Sequence, residues 1–120
     1  MVWYLTADKK LGKHAKAALS SVDSGTERAI IPVLVLAEIM HLEEKGRIRI
    51  KLSELVEYLQ TNENYSIAPL TLNVVLSAKS LHQIPELFDR MIAATSLEYD
   101  AVLLTRDPVF HNLSTIKIEW

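Results

Sequence analysis

The sequence has no cysteine, and that absence removes a disulfide framework, a thiolate nucleophile and a zinc finger from consideration. It also has no long apolar run. The longest, residues 30–37, falls far short of the ~20 residues a membrane-spanning helix needs, and the opening Met-Val-Trp-Tyr-Leu lacks the basic flank and length of a signal peptide. A cytoplasmic protein without membrane contact is the expectation. Net charge is only −2, so the surface as a whole offers nucleic acid no strong attraction. Internal repeats, linkers and low-complexity segments are missing too.

What remains is a chain of 120 residues, about half of them apolar, which suits one domain, residues 1–120, with a sizeable core. Apolar residues recur at helical spacing in residues 14–22, 33–45, 52–60 and 71–81, and again from Asp89 to Leu97. In residues 71–81 the apolar side chains Leu72, Val75, Leu76 and Ala78 share one side. Short apolar runs at residues 29–31, 65–68, 101–104 and 116–118 read as strands between these helices. Pro32 suits a helix start, Gly46 a helix end and Ser53 an N-cap. Helices alternating with short strands predict an α/β fold with a parallel sheet.

Within that frame, three acids are isolated carboxylates bordering apolar sequence. Glu38 is the only charged residue between Ile30 and Met40. It lies either wet on an outer stripe or, since a buried carboxylate is costly, against a partner or a cation. Asp89 falls in the first turn of its helix, where the dipole favours an anion. Asp107 follows the 101–104 strand, at the strand end where ligands sit in α/β folds. Carboxylates brought together repel unless a cation neutralises them. Hard oxygen ligands without cysteine or paired histidine favour Mg²⁺ or Mn²⁺ over zinc, and such ions hold phosphate oxygens and activate water for in-line attack.

Basic residues cluster at Lys9, Lys10, Lys13 and Lys16, and at Arg47, Arg49 and Lys51; either group is a solvated surface or a phosphate contact. Arg90 and Arg106 flank the acids and either grip phosphate or pair with a neighbouring acid. Trp3, Tyr4 and Trp120 either stack on bases or pack in a core or interface. His14, His41, His82 and His111 show no ligand spacing and read as surface or packing residues. No serine or threonine has a nearby His–Asp pair, so a hydrolase triad has no support.

The segments LVLAEIMHLEEKGRI around Glu38, FDRMIAATSLEYDAVLLTRDP with Asp89 and Asp107, and the closing TIKIEW resemble the PIN-domain ribonucleases, in particular the VapC-type toxins of toxin–antitoxin pairs. The second segment is the specific one. The resemblance implies a three-layer α/β/α fold and a Mg²⁺- or Mn²⁺-dependent endoribonuclease. Glu38 and Asp89 would be carboxylate ligands, Asp107 a further acid acting through water, and Thr105 a hydrogen-bonding support. It also implies an RNA substrate, a homodimer, and a cognate antitoxin bound along residues 33–45 and 52–60. Phe88 stands where relatives often carry His, which alters the rim of the site. A catalytically impaired PIN domain that pairs with an antitoxin or with itself is the alternative. A receiver domain phosphorylated on aspartate is a third class, but its acid pair after the first strand and its late lysine are not found.

In the family a further aspartate closes the first strand, just before the helix that Val2 to Leu5 matches. The chain shows neither that strand nor that acid, and Asp8 matches the turn after the helix. The expectation is a PIN domain lacking its first strand, roughly five to ten residues, which would leave the strands at 29–31 and 101–104 without the partner between them; a true start upstream is favoured over a decaying copy of the gene or a neighbouring chain that fills the slot. A chain carrying those residues is expected to fold more stably and to cleave RNA with Mg²⁺, and the 120-residue chain to cleave weakly or not at all.

Overall fold

The computed structural model describes residues 13–105, 108–110, 113 and 115–120. Helix α1 (Lys13–Asp23) leads to β1 (Ala29–Pro32), α2 (Val33–Glu44), α3 (Leu52–Thr61), β2 (Tyr65–Ala68), α4 (Leu72–Lys79) and α5 (Leu87–Glu98). Strand β3 (Leu103–Leu104), a single 3-10 turn (Pro108–Phe110) and β4 (Ile118–Glu119) follow. Strand β1 runs parallel to β2, from Ala29 beside Tyr65 to Pro32 beside Ala68. Strand β3 runs parallel to β4, with Leu103 beside Ile118. Parallel neighbours need a crossover, and α2 with α3 supplies it for the first pair. This is the α/β architecture expected from the resemblance. The described strands form two separate pairs, and residues of β1 and β3 line one cleft of about 1540 Å³.

Two apolar clusters hold the elements. One joins Leu34, Val74, Ala78, Leu81, Ile84, Met91, Ala93, Ala94, Phe110 and Ile116. The other joins Val22, Ile31, Leu36, Ile39, Leu55, Leu59 and Tyr65. Helix α2 serves both, Leu34 on one side and Leu36 with Ile39 on the other, which explains why it is apolar almost all round. Asp23 adds a polar pin: its Oδ1 accepts from the hydroxyls of Tyr65 at 2.8 Å and Tyr58 at 3.2 Å. Burial, then the bond to Asp23, pushes the Tyr65 phenol upward.

Three local expectations are corrected. On α4 the stripe Leu72, Val75 and Leu76 faces solvent, at 72, 46 and 60 % exposure, while Val74, Ala78 and Leu81 are buried. Both stripes are apolar, and the one carrying Val74 and Ala78 is the one that packs with Met91, Ala93 and Ala94 of α5. Ser53 is not the cap of α3. That helix starts at Leu52, whose N–H donates to the Glu43 carboxylate at 3.0 Å, so α2 caps α3 across the turn. The strands at 101–104 and 116–118 are shorter or shifted, covering only Leu103–Leu104 and Ile118–Glu119.

The shortening of β3 has a cause in the end of α5. The Asp100 N–H donates to the Leu97 carbonyl at 3.1 Å and the Ala101 N–H to the Ser96 carbonyl at 2.8 Å, the paired bonds of a Schellman ending. Ala101 is thereby drawn into the helix cap. Helix α2 ends the same way, with Gly46 at φ 68° and with Gly46 and Arg47 donating to Glu43 and Leu42. There glycine takes the left-handed position freely, whereas in α5 Asp100 takes it at φ 48°. Asp100 also meets Lys117 at 3.3 Å, but both side chains are largely exposed and such a pair contributes little. Asp100→Val should therefore cost about 1–2 kcal/mol, measured by urea unfolding, while Asp100→Gly should cost nothing measurable. Equal losses in the two variants would show that the backbone angle is not what matters.

Candidate metal centre

Glu38 sits midway along α2, a helix fixed by the apolar residues on either side of it, and Asp89 in the first turn of α5. The two helices pack against each other. Glu86 precedes α5 as its N-cap: Oε1 accepts from the Phe88 N–H at 3.2 Å and Oε2 from the Asp89 N–H at 2.9 Å. One carboxylate oxygen from each of Glu38, Glu86 and Asp89 lies within 4.8 Å of the other two. The structure therefore brings together two of the three acids singled out in the sequence and adds one. Asp107 and Arg106 lie outside the described residues, as do Trp3, Tyr4 and Asp8.

Glu86 escaped the sequence reading because it follows Pro85 in what looked like a plain loop. Its signal was present. Two acids three apart at a helix start share a face, and an acid just before a helix can satisfy the first free N–H groups.

The geometry leaves its mark on Glu38. Partial burial, then the neighbouring charges of Asp89 and Glu86, raise its carboxyl above the usual carboxylate range. Three oxygens this close, one of them held where ionisation is disfavoured, form a donor set suited to a hard divalent cation. Such a cation would relieve the repulsion. The helix N-terminus beneath Glu86 and Asp89 relieves part of it already.

The 1540 Å³ cleft is lined by Glu38, Asp89 and Thr105, and also by Arg28, Arg47, Arg49 and Trp120. Thr105 donates its N–H to the Glu119 carbonyl at 3.1 Å, just past β3. Of the flanking arginines, Arg90 donates its Nε–H to the Ile84 carbonyl, which ties it to the turn before α5. Thr95 and Ser96, buried on the cleft side of α5, return their hydroxyls to the helix carbonyls of Met91 and Ala93 at 2.7 Å each. They need no ligand.

The family model for the PIN domain matches residues 1–115 of the chain. No curated protein matches it. Among the described residues, no helix is long and apolar enough to cross a membrane.

The raised carboxyl of Glu38 fixes the sign of a pH effect. Its contribution to stability is fully present below the ordinary glutamate value and is lost as pH rises through the raised folded value. In chelator at neutral pH, Glu38→Gln should therefore melt higher than the wild type, and the two should converge under mildly acidic conditions. Mn²⁺ should raise the wild-type midpoint more at pH 7.5 than at pH 5 and should do little for the variant. A variant that melts lower than wild type in chelator at neutral pH would rule out the strained trio.

Proposed function

The chain belongs to the PIN-domain family, whose members are generally metal-dependent nucleases, and on that premise we propose that it is a Mg²⁺-dependent endoribonuclease, the toxin of a toxin–antitoxin pair. The observation that carries this reading is the convergence of Glu38, Glu86 and Asp89, one oxygen of each within 4.8 Å of the other two, beside the 1540 Å³ cleft that Glu38 and Asp89 line. These three carboxylates would hold the ion, Mg²⁺ or Mn²⁺. When bound, such an ion neutralises charge on a phosphate and lowers the pKa of its water.

The chain's own side chains supply the rest. Arg28, Arg47 and Arg49 line the same cleft and can hold backbone phosphates by charge-assisted hydrogen bonds. They provide the local attraction that a net charge of −2 does not. Asp107 is assigned from the resemblance as a further acid acting through water, with Thr105 supporting it and Arg106 and Arg90 flanking. Cytoplasmic location and antitoxin binding along α2 and α3 belong to the same reading. Exposed Val33 and Met40 on α2 and Tyr58 on α3 support an apolar partner surface there. Self-pairing is supported by Leu72, Val75 and Leu76 on α4 and by Leu87 at the start of the adjoining α5, all well exposed.

Two experiments test this. RNA cleavage should need Mg²⁺ and stop in chelator. Asp89→Asn and Glu38→Gln should each lower it by about 100-fold or more, since losing even an outer partner of a metal ligand costs ~10–100-fold. Unchanged cleavage by Asp89→Asn would make the acids structural, and no cleavage by a chain that still binds an antitoxin would make it a binding module. Light scattering should show a dimer that Leu76→Lys converts to a monomer. A monomeric wild type at high concentration would remove the self-pairing.

A further inference from the structure

A second recess, about 540 Å³, is lined by Ala37, Glu38, Met40, His41, Leu42 and Phe88. Its volume falls within the ~300–1,000 Å³ typical of small-ligand sites. Glu38 is common to this recess and to the acidic trio. Whatever fills the recess therefore lies within one side chain of the ion site. A nucleotide has that shape: a flat, apolar-faced ring joined through one sugar to a phosphate.

We propose that this recess is a nucleobase subsite, in which Phe88 stacks on the base next to the phosphate held at the trio. The proposal rests on the nuclease reading for its ligand and on the recess for its geometry. Phe88 is suited to the task because it is held in place. Its ring packs against the core cluster behind it, and its N–H is fixed by the Glu86 carboxylate that also joins the trio. Ring position and ion position are thus set by the same first turn of α5. Met40, 44 % exposed, offers a polarisable thioether to an aromatic ring. His41 brings ring nitrogens that can hydrogen-bond a base edge. Stacking tolerates any base because every base has a π-face, so the subsite adds affinity and strand register with modest sequence preference. A lining this apolar around one carboxylate gives a free phosphate or a sugar little to hold.

The test uses fluorescent single-stranded RNA octamers, oligoadenylate and oligouridylate, and an octamer of the same backbone without bases. Affinity is measured in Ca²⁺, with strand integrity checked on a gel. Phe88→Leu keeps the packing behind the ring but removes its face. It should bind both base-bearing octamers roughly five- to tenfold more weakly than wild type, Phe88→Trp should restore them, and all three proteins should bind the abasic octamer alike. The Mn²⁺-induced rise in melting midpoint should be the same in Phe88→Leu and wild type, which separates the recess from the ion site. Equal affinity of wild type and Phe88→Leu for the base-bearing octamers would overturn the subsite. So would a loss confined to a protein partner, which would assign the recess to that partner. Base-dependent binding without any cleavage in Mg²⁺ would leave the subsite standing and remove the nuclease reading. Cleavage at equal rates by wild type and Phe88→Leu would do the reverse.

Discussion

The packing of α2 against α5 is the constraint on which the site depends. It places Glu38 opposite the N-terminus of α5, where Glu86 and Asp89 already stand. The arrangement is unfavourable in isolation, because three carboxylates repel and one of them is partly removed from water. It persists because both helices are committed elsewhere. Leu34, Leu36 and Ile39 anchor α2 in two clusters, and Met91, Ala93 and Ala94 anchor α5. Moving Glu38 away from the other acids would mean withdrawing those side chains from the core. Burial of each contributes about 1.5–3 kcal/mol for the larger ones, more than a partly screened repulsion costs.

Small residues let the helices carry this load. Ala93 and Ala94 are fully buried and Thr95 and Ser96 nearly so, and both hydroxyls are satisfied within the helix. Helix α5 is therefore buried almost all round at this turn, with small side chains on successive faces. Helix α4 likewise buries Val74 and Ala78, and its outer face leaves three apolar side chains in solvent. Leu72, Val75 and Leu76 together make an exposed apolar stripe, the kind of patch that marks interaction surfaces.

The order of elements was legible in the sequence because its signals were local. Alternating helical and strand periods gave the α/β order, and glycine at 46 marked the end of α2. Elements whose boundaries depend on particular hydrogen bonds, and not on periodicity, were not legible. The start of α3 is set by Glu43 from another helix, and the start of β3 by a helix ending that uses Asp100 where glycine is usual. The inward face of α4 was ambiguous for a related reason: two apolar stripes satisfy the same period, and only the tertiary packing on α5 distinguishes them. Glu38 and Asp89 stood out as charges in apolar surroundings, a signal that survives without a structure. Glu86 did not, because its neighbours in sequence are a proline and an ordinary loop.

Glu86 is nevertheless the residue that makes the trio a fixed site. Its two oxygens accept from the Phe88 and Asp89 N–H groups, which satisfies two of the four donors a helix start leaves free. A carboxylate has about four lone-pair positions, so the cap uses half and leaves the other half for a cation. Capping and ligation therefore do not compete. The backbone of α5 orients the carboxylate in advance, as outer hydrogen bonds orient a metal ligand, and a cation would find at least one oxygen already positioned. Glu86 closes the cap with both oxygens while one of them lies within 4.8 Å of Glu38 and Asp89, so a helix cap and an acidic cluster are built from the same atoms.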